Sequence, residues 1–168
     1  EVALDLHEYN AFRKHYSKLG TFGITTVYDA MFLYTGNLNV PENMRKLTDE
    51  VFVEKARRSL NQHYLRHHAY FSTTDHLGEI QLRQGATSPR SSATSFALTN
   101  CVSTLLEVRG VKLGRTSFKR RVYSAYLVSR SFLQTAYEEE EQLRAEIARA
   151  NLNRDEAVIA TKRAVYED

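Results

Sequence analysis

Residues 41–66 read PENMRKLTDEVFVEKARRSLNQHYLR, and this stretch sets the expected fold. Pro41 holds its φ near helical values and has no N–H to lose, so it opens a helix or a turn, with Asn39 placed to cap it. Thr48 stands where it would cap a second helix. There Val53, Ala56, Leu60 and Tyr64 recur at helical spacing on one face, and Lys55, Arg57, Arg58 and Arg66 populate the flanks. The reading is a basic amphipathic helix.

The same period extends outward. Leu4, Leu6, Tyr9, Phe12, Tyr16 and Leu19 form an uneven helical stripe, with Gly20 as its stop. Residues 21–40 are rich in aromatic and β-branched side chains and read as an irregular apolar segment, with a short helix around Tyr28–Tyr34. Residues 72–94 are dense in Ser, Thr and Gly and read as a loop. A third helix is expected over Ser92–Val108, lined by Leu98, Val102 and Leu105 and closed by Gly110. Thr116 would cap a fourth, in which Val122, Ala125, Ser129, Leu133 and Ala136 share a face. That helix would run on through Tyr137 to Leu143 and Ile147, and Asn153 would cap a last one, Arg154 to about Tyr166. The expected fold is all-α. It is one helical domain over residues 1–168, with an N-terminal apolar segment, a basic amphipathic helix and two or more long C-terminal helices.

The composition fits a folded chain: 168 residues, 42% hydrophobic and 26% charged. The longest apolar candidate, Phe96–Val108, is interrupted by Thr99, Asn100, Ser103 and Thr104 and falls short of the roughly 18 residues a spanning helix needs. One cysteine, Cys101, leaves no disulfide framework and no thiolate cluster. Its apolar surroundings read as those of a buried, inert thiol. A start at Glu1 rather than Met suggests a processed precursor or a trimmed chain. The net charge of +3 is unevenly spread. Val111–Arg130 holds Lys112, Arg115, Lys119, Arg120, Arg121 and Arg130 with no acid, whereas Tyr137–Asp168 is acid-rich. Such a split suits docking.

Three constellations bear on chemistry. His63 and His67 are four apart and could share a helix face toward a metal, but no Glu follows His63 and no third ligand has a recognisable spacing. The plainer reading is a polar face, and no metal site is assigned. Glu138–Glu141 point around a helix rather than converge, which fits a solvated or docking face. The basic stretch Arg115–Arg130 interleaves Phe118, Tyr123 and Tyr126, a pattern compatible with phosphate contact and base stacking, but without a recognisable nucleic-acid-binding signature. No nucleophile elbow, phosphate loop or dinucleotide fingerprint occurs. The sequence therefore points away from an enzyme and to no cofactor.

In order, Tyr9-Asn10-Ala11, Lys18-Leu19-Gly20, Tyr28-Asp29, Pro41-Glu42-Asn43, the helix Phe52–Arg66 and the late Tyr137-Glu138-Glu139-Glu140 resemble subunit 7 of the mitochondrial cytochrome bc1 complex, the small matrix-facing family once called the ubiquinol-binding protein. The gaps from Lys18 to Tyr28 and from Tyr28 to Pro41 look the same as in that family. Val40 replaces its leucine, and residues 70–134 have no counterpart and read as an insertion. The resemblance implies a non-catalytic accessory subunit of respiratory complex III at the inner membrane, on the matrix side. It would brace cytochrome b and the core subunits and support assembly. On that reading Tyr28, Phe32 and Tyr34 anchor an interface, and Pro41, Glu42 and Asn43 direct the chain into the helix. Arg57, Arg58 and Arg66 would meet partner acids or anionic lipid head groups. The plainer alternative for all nine is ordinary core aromatics and surface charge. An accessory subunit of another mitochondrial assembly, or a basic helical nucleic-acid-binding module, stands as the alternative function.

Overall fold

The computed structural model describes residues 1–12, 25–76, 79–85, 87–152 and 157–159. Lys18-Leu19-Gly20, the start of the apolar segment 21–40 and most of the last expected helix lie outside the described residues.

The architecture is mixed α/β, which corrects the all-α expectation. Six strands are present among the described residues: β1 (Val2–Tyr9), β2 (Ala30–Leu33), β3 (His67–Ala69), β4 (Phe71–His76), β5 (Glu79–Gln84) and β6 (Val102–Arg109). β1, β6, β2 and β3 form one sheet in that order. β1 pairs parallel with β6, β6 antiparallel with β2, and β2 parallel with β3. β4 and β5 form a separate antiparallel hairpin, where a loop was expected.

Two expected helices became strands because their side chains also satisfy a period of two. In β1, Val2 and Leu4 pack on the main core, while Ala3, Asp5, His7 and Tyr9 take the other face. In the stretch expected to be one helix over 92–108, only α3 (Ser92–Ala97) is helical. Its last turn closes with Asn100 and Cys101 donating to the carbonyls of Ala97 and Phe96, and Asn100 takes a φ of 61°, a conformation Asn tolerates better than most residues. The β-branched Val102, Thr104 and Val108 then enter the sheet, where branching at Cβ is favoured.

The amphipathic helix is real. Helix α1 (Glu42–Lys46) follows Pro41, widens into a π-helical stretch at Leu47–Val53, and continues as α2 (Glu54–Gln62). Thr48 does not cap it. It sits buried mid-helix with its hydroxyl donating to the Met44 carbonyl at 2.9 Å, a back-bond that competes with the regular ladder. Met44, Leu47, Phe52, Val53, Ala56 and Leu60 pack against Ala30, Phe32, Val102, Leu106 and Val108 of the sheet.

Helix α4 (Phe118–Glu138) also forms, but it buries Ser124, Leu127, Val128, Phe132 and Thr135. Of the face expected to be buried, Val122 and Leu133 are exposed. Leu127, Val128 and Phe132 carry more apolar surface and take the core side, with Phe132 against Phe52 at 5.6 Å between ring centroids. Glu139 breaks the run, and α5 (Glu140–Leu152) returns Leu143 and Ala150 to the same core. Residues 70–134, read as an insertion, contribute the central strand β6 and the long helix α4.

Candidate functional site

The odd-numbered positions of β1 and β6 share the sheet face turned away from α2 and α4. At the first half of these strands Ala93 of α3 packs with Leu33 and Leu105. Between this patch and a second apolar cluster around Tyr9 and Met31 the face turns polar. There Asp5 stands opposite Leu105, His7 opposite Glu107, and Tyr9 opposite Arg109. Neighbouring strands lie about 4.8 Å apart, so residues paired in parallel register present their side chains together. His7 and Glu107 therefore emerge side by side at the carboxyl ends of two parallel strands, where open α/β sheets place their reactive groups.

The imidazole is oriented from within β1. His7 Nε2 lies 3.0 Å from Asp5 Oδ2, and Ser92 Oγ, at the first turn of α3, donates to the same Asp5 oxygen at 2.6 Å. Asp5 thus ties the histidine to α3. Ser92 bonds the carboxylate rather than the imidazole, so the three residues do not form a serine nucleophile activated by a base. Glu107 is half-buried, with Met31 of β2 opposite it on its other flank. Met31 packs with Tyr9, Tyr28, Tyr70 and Phe71, which gives the pair an apolar wall. Arg109, two residues beyond Glu107, adds a positive charge to the same face, and its buried Nε has no hydrogen-bond partner among the described residues.

Cys101 is buried with its thiol pushed up by desolvation, as expected for an inert side chain. Among the described residues no group of three His, Cys, Asp or Glu side chains is arranged to hold a metal ion. The two histidines weighed above do not share a helix face. The helix ends at Gln62, Tyr64 turns at φ 57°, and His67 opens β3 with its ring bonded to Asn61 at 3.1 Å. His63 instead packs edge-on against Tyr123.

The residues proposed from sequence for an interface are spread across the molecule. Phe32 lies in the core at 1% exposure. Tyr34 and Arg57 come together, with the guanidinium donating to the phenol at 3.3 Å and to Asp49 at 3.2 Å, and lying over the rings of Phe32 and Tyr34. Burial, then the Asp49 hydrogen bond, pushes the Tyr34 phenol up from its ordinary value. Tyr28 stacks on His68 at 4.7 Å. Pro41 precedes α1, exposed Glu42 pairs with Lys46, and Asn43 donates to Glu146 on α5. Arg58 pairs with Glu54 on the surface. Arg66 is exposed, and its backbone N–H donates to Asp29. Of the nine, only Tyr28 comes near the His7–Glu107 face, through the apolar cluster around Met31. The sequence signals that would have found that face are Asp5-Leu6-His7 and Glu107-Val108-Arg109, chemistry-bearing residues alternating at the strand period.

Over nearly its whole length the chain is similar to carboxypeptidases. It is 29% identical over 179 residues to a probable carboxypeptidase 2 of Trichophyton verrucosum, an alignment covering 99% of this chain and 32% of that protein. It is 27% identical over 175 residues to a probable carboxypeptidase 2 of Arthroderma benhamiae, covering 99% of this chain and 32% of that protein. It is also 27% identical over 175 residues to carboxypeptidase 2 of Trichophyton rubrum, with 99% and 31% coverage. The chain spans about a third of the length of these relatives. No family model matches the chain, and no solved structure matches it. This likeness overturns the expected accessory-subunit role in complex III and the expected lack of enzymatic function.

Proposed function

We propose that this chain carries part of the machinery of a carboxypeptidase, hydrolysing the C-terminal peptide bond of its substrates, with His7 and Glu107 as the reacting pair. The observation that carries the reading is the register of His7 against Glu107 at the carboxyl ends of β1 and β6, in a chain that aligns from end to end with carboxypeptidase 2 proteins. Hydrolysis of an amide needs a group that takes a proton from water and a group that supports the charge developing on the carbonyl oxygen or leaving amine. Glu107 suits the first task, since its carboxylate stands beside an apolar wall at the mouth of the sheet. His7 suits the second, since Asp5 holds Nε2 and fixes how the ring presents Nδ1.

The test is release of the C-terminal residue from N-acylated dipeptides, followed by mass spectrometry, with the matching C-terminal amides as controls. Assays run with and without added divalent cations and with a chelator decide whether the reaction draws on a metal. The expected outcome is release from the free acids only, abolished in Glu107→Gln and His7→Ala. No release under any condition, or release unaffected by both substitutions, would overturn the reading.

A further inference from the structure

Between Leu4 and the buried Tyr9, β1 has little apolar cover, and this stretch bears His7. β1 is an edge of the four-stranded sheet. The apolar contacts that seat Val2 and Leu4 do not continue, and Leu6, His7 and Glu8 are all exposed. Edge positions with little apolar cover open easily, so contacts of the exposed side chains add to the β6 pairing and to the buried Tyr9 in holding His7 opposite Glu107.

Arg121, on the first turn of α4, reaches this stretch through Glu8. Its Nη1 donates to both carboxylate oxygens of Glu8, at 3.2 and 3.1 Å, and to the Gly110 carbonyl at 3.0 Å, while Nη2 donates to the Gly114 carbonyl at 2.7 Å. Arg121 lies within 12% side-chain exposure, with its guanidinium over the Phe118 ring. One planar group therefore joins the residue after His7, the turn that leaves β6 and the start of α4. The turn is stapled back in return, with the N–H groups of Gly110 and Val111 both donating to the Tyr9 carbonyl at 3.3 and 3.2 Å. A side chain at position 110 would displace the Glu8 and Arg121 side chains. A Cβ there would stand 2.4 Å from Glu8 Cδ and Oε2 and 2.7 Å from Arg121 Cδ. Further along, α4 is anchored in the core by Leu127, Val128 and Phe132, so the clamp ties the exposed strand end to the rigid body of the molecule.

We infer that Arg121, interlocked with Glu8 and Gly110, is the positioning residue that keeps His7 in register with Glu107. The inference rests on the proposed role of that pair. Arg121 itself is turned to the opposite face of β1 through Glu8, so it acts on the reaction only by geometry. A lysine could keep the Glu8 pair but cannot reach two carbonyls and a carboxylate with one planar fork.

The experiment uses the full chain carrying Arg121→Met, Arg121→Lys, Glu8→Gln and the double variant Arg121→Met/Glu8→Gln. Amide exchange is read at Val111 and, as an internal control, at Leu106. The imidazole signals of His7 are followed by NMR, and C-terminal residue release is measured as kcat and KM. Arg121→Met is expected to speed exchange at Val111 by more than about tenfold with Leu106 unchanged, since local opening is selective. It should also shift the His7 signals and lower kcat by roughly tenfold or more, with KM within about threefold, as for a lost reacting geometry. The double variant should be no worse than the more severe single one, and Arg121→Lys should lie between. Val111 exchange and His7 signals unchanged in Arg121→Met, or changes at Val111 and Leu106 in equal proportion, would overturn the inference. If the unsubstituted chain releases no amino acid, the proposed reaction fails, and exchange and the His7 signals alone decide whether the clamp holds the strand end.

Discussion

The two faces of the four-stranded sheet are made from the same strands and do opposite work. The even-numbered face presents Val2, Leu4, Ala30, Phe32, Val102, Leu106 and Val108 to the helices, and all lie in or against one apolar cluster. The odd-numbered face has a small apolar patch under α3 and then Asp5, His7, Glu107 and Arg109, partly open to solvent. A period of two sends neighbouring residues to opposite faces, so Leu106 packs in the core while Glu107 lies half-buried on the other side. The first face should therefore govern stability and the second activity, and substitutions test how cleanly the two are divided.

The largest effect is expected on the packed face. Phe32→Ala should cost about 3–5 kcal/mol, because the emptied volume sits between a sheet and helices that cannot collapse into it. Chemical denaturation should show a chain that is unfolded or nearly so. A loss below about 1 kcal/mol would mean that the sheet is not the floor of the core. Across the pleat, Glu107→Gln should lower C-terminal residue release by at least about a hundredfold. It should leave the unfolding midpoint close to that of the parent chain. If Glu107→Gln unfolds the protein instead, the faces are not separable at this position.

Asp29 sharpens the comparison, because it is a buried charge with a purely architectural setting. Its Oδ2 accepts the Arg66 N–H at 2.8 Å and its Oδ1 lies 3.3 Å from Arg120, joining β2, the turn after α2 and α4. Asp29→Ala should cost about 1–3 kcal/mol, the range for losing hydrogen bonds to a charged group, with release falling only as far as the folded fraction does.

The pH dependence offers a smaller test. Burial, and then the charge of Arg57, lowers the His67 pKa below its ordinary 6.5. The unfolded chain then takes up this proton before the folded one. Stability from this site is intact above the unfolded value and is lost as pH falls from about 6.5 through the folded one. Melting curves between pH 7.5 and 5.5 should show a slope that His67→Gln reduces. An unchanged slope would place the acid sensitivity elsewhere.

The smallest effect separates two adjacent cations. Arg58→Ala removes a pair with Glu54 at 70% side-chain exposure and should change stability by no more than about 0.5 kcal/mol. Arg57→Ala removes contacts to Asp49, Tyr34 and Phe32 and should cost measurably more.

How far the sequence could be read varies by element. The helix ending at Gln62 was legible because Val53, Ala56 and Leu60 recur at i, i+3 and i+7, a spacing that would split between the two faces of a strand. Tyr64, read on the same face, lies beyond the helix and is exposed. The place of α4 was legible too, but not its end at Glu138, since the stripe runs on to Leu143 and Ile147, nor its buried side, since Val122 and Leu133 make as regular a stripe as Leu127, Val128 and Phe132. β1 and β6 were misread because short apolar runs satisfy both periods. The local choice was overridden by pairing between residues 2–9 and 102–109, and no local propensity reports such pairing. The short motifs that suggested a respiratory subunit drew attention to residues 28–66 and away from the ends of these strands.

By itself, then, the sequence determined the charge split, the presence of amphipathic helices around Val53–Leu60 and Val122–Ala136, and the buried setting of Cys101. These follow from composition and from contacts within a few residues. The tertiary structure decided that residue 7 stands beside residue 107, that Arg121 reaches Glu8, and that one face of a strand packs while the other meets solvent. These depend on which distant segments pair, and only the burial of a whole sheet against its helices selects that pairing over the helical alternative.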